Sequence, residues 1–183
     1  ASTLGSILVN RGDRKAFQGD NAVASAVAMA VFGNQSFGLV LSNLNSTDSG
    51  TAKGHAVHDD QLVPYPIYWT MTVCDYVWSS NDTAAFTYFS SDVEQILNSH
   101  AANANRNWLN VKLNFFGWDD RIRIGSGESG FGVEGPNAGL EPQLGYVSML
   151  IQSCRYFART LKATGGSAAL IANITATAEQ LAA

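Results

Sequence analysis

The stretch from Pro64 to Ser79 constrains this chain more than any other. Ile67, Trp69, Met71, Val73, Cys74, Val77 and Trp78 leave it without a polar face. A helix that is apolar all round must be surrounded by other elements. Prolines at 64 and 66 fall in the first turn, where the missing N–H costs nothing. The spacing therefore predicts a deeply buried helix over 64–79, and the rest of the chain must supply its cover.

Helical periodicity dominates elsewhere. Residues 21–33 read as an Ala-rich helix, with Asp20 as N-cap and Gly33 as its stop. A short second helix follows over 36–45. The Ser-Ser-Asn-Asp break at 79–82 leads to a fourth helix, 83–99, with Phe86, Phe89, Val93, Ile96 and Leu97 on one stripe. A fifth, 142–164, carries Val147, Leu150, Ile151, Cys154, Phe157 and Leu161, and Gly165-Gly166 ends it. The sixth, 167–182, has Ser167 as N-cap. A short strand is expected over 109–116, before a glycine-rich segment from Gly117 to Gly139.

The expectation is one all-α domain over 1–183, built of antiparallel helical hairpins at about 21–45, 64–99 and 142–182. Each hairpin has a short internal link. The long, polar or Gly-rich segments between them would gather at one rim, as in a helical toroid.

Composition narrows the partners. The chain has 11 basic and 15 acidic residues and a net charge of −4. A broad basic face for nucleic acid is excluded. No run is long and apolar enough to span a membrane. Charged residues are 14% of the chain, against about 25% in an average soluble domain. Four Asn-x-Ser/Thr sequons, at Asn34, Asn45, Asn81 and Asn173, point to an extracellular or secretory-pathway glycoprotein. The chain starts without a signal segment, so either processing has removed one or the chain begins inside a longer protein. Cys74 and Cys154 are too far apart for a metal knuckle or a redox pair. Two buried thiols are expected, with one long-loop disulfide as the alternative.

Three acid-bearing groups precede predicted helices. Asp13, Arg14, Phe17 and Asp20 form the first. His55, His58, Asp59 and Asp60 form the second, beside Tyr65, Tyr68 and Trp69. Trp118, Asp119, Asp120 and Arg121 form the third, with Glu128 and Glu134 beyond. Acids beside aromatic rings suit a sugar cleft, where flat apolar faces meet polar edges. The bland readings are a helix cap for Asp20, surface turns for Asp13 and Asp120, and core packing for Trp69. No metal is expected, because His58 and its neighbours lack a third convergent ligand. No phosphate loop, dinucleotide fingerprint or nucleophile elbow is present, and no cofactor is expected.

The order of these groups carries a resemblance. Gly12-Asp13-Arg14-Lys15-Ala16-Phe17-Gln18-Gly19-Asp20 resembles the acid–Arg–x–x–aromatic–x–Gly–Asp signature of α-L-rhamnosidase-like enzymes of the six-hairpin glycosidase superfamily. His58 to Tyr68 and Gly117 to Asp120 look like the next two elements of that family, in the same order. Tyr156 to Leu161 fits its long aliphatic helix.

The resemblance implies about half of an (α/α)6 toroid, seen as a fragment of a longer chain. It implies inverting hydrolysis of terminal α-L-rhamnosyl-type sugars. Asp13 matches the general acid. Arg14, Phe17, Asp20, His58, Asp59, Asp60, Trp118 and Asp119 would line the sugar site. The general base of the family comes from a later hairpin. The other half of the barrel, or a second copy, would then cover an open edge. The alternative is a non-catalytic carbohydrate-binding or self-assembling structural protein on the same helices.

Overall fold

The computed structural model describes residues 18–47, 64–107 and 140–183. Among the described residues the chain is entirely helical, with six α-helices. They are α1 (Gln18–Phe32), α2 (Asn34–Thr47), α3 (Tyr65–Ser80), α4 (Thr83–Asn107), α5 (Leu140–Ala163) and α6 (Ala168–Ala182). The expected strand over 109–116 and the glycine-rich segment lie outside these residues.

Turn chemistry sets the helix ends. Gly33 has φ +54°, and its N–H donates to the Met29 carbonyl at 3.0 Å, closing α1. The Ser36 hydroxyl donates to the Gly33 carbonyl at 2.7 Å and starts α2 at once. Pro64 precedes α3 with helical torsions. Asn81 ends α3 in the left-handed region at φ 58°, a conformation asparagine tolerates. Asp82 then caps α4, accepting from the Ala85 N–H at 2.9 Å. Gly165, at φ 76°, and Gly166 stop α5; the Gly166 N–H reaches the Leu161 carbonyl at 2.7 Å. Ser167 accepts from the Leu170 N–H at 3.4 Å, the expected N-cap of α6.

Two expected boundaries move. α1 starts at Gln18, so Asp20 stands in its first turn and is not the N-cap. The extra turn is held where Gly19 meets the Tyr65 ring. α4 runs on to Asn107, eight residues past the expected end. His100, Ala101 and Ala104 are buried, so the inward stripe continues through small and polar residues.

α3 is the centre. Ile67, Trp69, Thr70, Thr72, Val73, Cys74, Tyr76 and Val77 are all buried. It packs against α1, α2, α4 and α5. Named contacts fix the directions. Trp69 Nε1 donates to the Leu44 carbonyl at 3.5 Å, and Phe37 meets Tyr76 at 6.0 Å, so α2 runs antiparallel to α3. Trp69 stacks edge-on to Phe89 at 5.5 Å, and Tyr76 donates to Asp82 at 3.2 Å, so α4 also opposes α3. Tyr156 donates to Asp75 at 2.7 Å and Trp78 to Thr160 at 2.9 Å, so α5 runs with α3. α1 touches α3 at both N-terminal turns and packs along it, so it shares that direction.

Cys74 and Cys154 are free and buried, and burial pushes both thiols up to about 12. Both thiols should resist an aromatic disulfide reagent in the native chain. Both should titrate within the mixing time in denaturant, with no reductant added. Fewer than two would mean that a disulfide forms.

Candidate functional site

Asp13, Arg14, Phe17, His58, Asp59, Asp60, Trp118 and Asp119 lie outside the described residues, as do His55, Asp120, Arg121, Glu128 and Glu134. Asp20 lies within α1, where its backbone occupies the first turn.

The described residues do build the end of the molecule from which these segments lead. Gly19 sits against Tyr65 so closely that an added Cβ would lie 2.7 Å from the ring. A side chain at position 19 would require the end of the Tyr65 ring to shift. Tyr65 and Tyr68 are half-buried and stand edge to face at 6.3 Å. Burial raises the Tyr68 hydroxyl, so it stays protonated at neutral pH. Two phenols therefore stand near the start of α3. Trp69 is 1% exposed and belongs to the core, as the bland reading expects.

The chain matches no family model, no curated protein and no solved structure. What the site can do is read from its own side chains.

Two polar clusters had no sequence signature. In the first, His100 and Tyr146 meet between α4 and α5, with Nδ1 and the hydroxyl 2.5 Å apart. Both are buried. Burial drives the His100 pKa down to about 4 and the Tyr146 pKa up. The imidazole is neutral at pH 7, and Nδ1 and the Tyr146 hydroxyl share one hydrogen bond. Sealed from solvent, this pair ties two helices together and cannot exchange protons with a substrate.

The second cluster follows the seam of α3 and α5. Tyr156 donates to Asp75, whose carboxyl is raised by burial; the Tyr156 bond works against that rise. Thr160 accepts from Trp78 and donates to the Tyr156 carbonyl at 2.9 Å. The Arg159 guanidinium lies 4.6 Å from the centre of the Trp78 ring, a cation–π contact. These partners are about 80 residues apart, so no local pattern announces them. Periodicity alone could have found half of the signal, because Asp75 and Trp78 share one edge of α3. Among the described residues no group of three or more His, Cys, Asp or Glu is placed to hold a metal.

His100 links folding to pH. Its folded pKa lies below the free value of 6.5, so its contribution is complete above pH 6.5 and is lost as pH falls towards 4. The loss approaches roughly 3 kcal/mol across that window. Urea unfolding at pH 7 and pH 4.5 should show the drop, and His100→Gln should flatten it. An unchanged pH slope in the variant would remove His100 as the cause.

Proposed function

We propose that this chain forms part of a helical toroid of the six-hairpin glycosidase type and acts on terminal α-L-rhamnosyl-type sugars. One observation carries the reading. The N-terminal turns of α1 and α3 meet at Gly19 and Tyr65, and an acid-bearing motif immediately precedes each helix in sequence. α5 runs in the same direction as α3, so its N-terminus belongs to the same end. Chain connectivity thus supports bringing Asp13, Arg14 and Phe17 together with His58, Asp59 and Asp60, and the segment carrying Trp118 and Asp119 with them. A row of three parallel helices, with α2 and α4 opposed, is also what successive antiparallel hairpins would give.

In this reading Asp13 delivers a proton to the glycosidic oxygen as the bond to the sugar breaks. Asp20 and Arg14 hold sugar hydroxyls, and Phe17 and Trp118 wall the ring. Inversion requires a second carboxylate about 6.5–9.5 Å from the acid to activate water on the opposite face. That base belongs to a later hairpin of the barrel. The sequon asparagines Asn34, Asn45, Asn81 and Asn173 are all exposed, which supports a secretory-pathway location.

A second reading has a specific observation behind it. The outward face of α1 is apolar, which favours a carbohydrate-binding or structural protein that assembles through that face.

Turnover of an aryl α-L-rhamnoside by the full chain tests the first reading. Asp13→Asn should lower kcat/KM by roughly 100-fold or more, because an amide cannot donate the proton. Binding of L-rhamnose, followed by calorimetry, should persist in that variant. Unchanged turnover would remove Asp13 as the acid. Binding without turnover in the unaltered chain would favour the second reading, and no binding at all would sink both carbohydrate roles.

A further inference from the structure

At the turn between α3 and α4, a modification signal and an exposed aromatic ring coincide. Asn81-Asp82-Thr83 is one of the four Asn-x-Ser/Thr sequons. Asn34 and Asn45 lie on the helical backbone of α2, and Asn173 on that of α6. Asn81 alone of the four stands outside a helix, at φ 58°, and it is exposed. Its backbone is pinned on both sides. The Asn81 N–H donates to the Val77 carbonyl at 2.8 Å, and the Thr83 N–H donates to the Asn81 carbonyl at 3.1 Å. A glycan acceptor belongs in a surface turn of this kind.

The hydroxyls of the motif separate the sequons further. Ser36 is buried, and its hydroxyl donates to the Gly33 carbonyl at 2.7 Å. The Thr175 hydroxyl donates to the Ile171 carbonyl at 2.7 Å. Thr83 is exposed, and its hydroxyl makes no such bond among the described residues. Trp78 lies about one helical turn before Asn81. It is 43% exposed, whereas Trp69 is core. Its ring is held in place, because Nε1 donates to Thr160 at 2.9 Å and the Arg159 guanidinium lies 4.6 Å from the ring centre. With the N–H taken and one face under the guanidinium, what Trp78 offers to solvent is apolar ring.

We propose that Asn81 is the acceptor of an N-linked glycan, and that the first pyranose of this glycan packs on the exposed ring of Trp78. The donor is an oligosaccharide on a polyprenyl diphosphate, handled by a transferase. Asn81 Nδ2 bonds to the anomeric carbon, the bond from that carbon to the diphosphate oxygen breaks, and the polyprenyl diphosphate leaves. One amide proton passes to a base of the transferase. The C–H face of a pyranose suits the flat face of an indole. A sugar tethered one turn away reaches the ring as an intramolecular partner, at high effective concentration. The proposal rests on the secretory-pathway reading and is independent of Asp13 and of sugar hydrolysis.

Expression of the full chain behind a secretory leader in a eukaryotic host tests it. An amidase that removes N-glycans in heavy-oxygen water turns each occupied Asn into a labelled Asp, which peptide masses locate. Asn81 should carry most of the label. Thr83→Ala should abolish it there and leave the fold intact, because the bonds to residue 83 run through its backbone. Removing the glycan from the folded chain should lower Tm by about 2–4 °C. The same removal should leave the Tm of Trp78→Ala unchanged. In the unaltered glycoprotein, ring protons of the first sugar should shift upfield over the indole.

A secreted chain with no label at Asn81, whether or not the other sequons carry it, overturns the acceptor assignment. Unshifted sugar protons overturn the packing, as does an equal loss of Tm in Trp78→Ala. Should that variant fail to fold, the proton shifts decide alone. A chain labelled at Asn81 by this route but free of glycan when isolated from its natural source overturns the secretory-pathway location and upholds Asn81 as the acceptor.

Discussion

A helix as apolar as α3 can exist in water only when other helices enclose most of it, and α3 imposes that demand on the whole chain; one edge, with Tyr68, Asp75 and the 43% exposed Trp78, stays partly open, so the burial on every side expected from the sequence is not met. Its buried residues face four neighbouring helices. Trp69 alone connects two of them, donating to the end of α2 and stacking on Phe89 of α4. Helices α4 and α5 are less demanding, because each needs only one apolar stripe. Their directions follow from where α3 has room for them. The same demand explains why Cys74 is a small apolar filler here and not a reactive group. Its thiol is driven far from ionisation by the surroundings that α3 requires.

Much of this framework was legible in the sequence because it depends on local signals. Gly33, Asn81-Asp82, Gly165-Gly166 and Ser167 mark helix ends through backbone torsions and caps, which a handful of neighbouring residues decide. The length of α4 was less legible. Its last two turns are held by His100, Ala101 and Ala104, which look neither strongly apolar nor amphipathic in isolation. The start of α1 was hidden for a related reason. Gly19 reads as a helix breaker until Tyr65, distant in sequence, fills the space its missing side chain leaves.

The site was legible only as chemistry. Asp13, His58 and Trp118 were recognisable as residue types suited to sugars, but their arrangement depends on segments outside the described residues. What the fold adds is the common direction of α1, α3 and α5, which no single stretch of sequence encodes. The polar links that tie the helices were not legible at all. His100 belongs to no pattern in the sequence and is buried against Tyr146, where its neutrality is part of the packing.

The Asp75–Tyr156 bond also bears on the order of assembly. α3 and α4 can pair through neighbours in the chain, such as Tyr76 with Asp82, and need close only a short loop. Joining α5 to α3 and α4 requires closing a much longer one, and that entropy must be lost before Tyr156 and Thr160 on α3, or Phe157 on Phe86 of α4, return anything. The seam is therefore expected to form late in folding and to open early. Substitutions along it should act mainly on the lifetime of the folded state and little on the speed of reaching it.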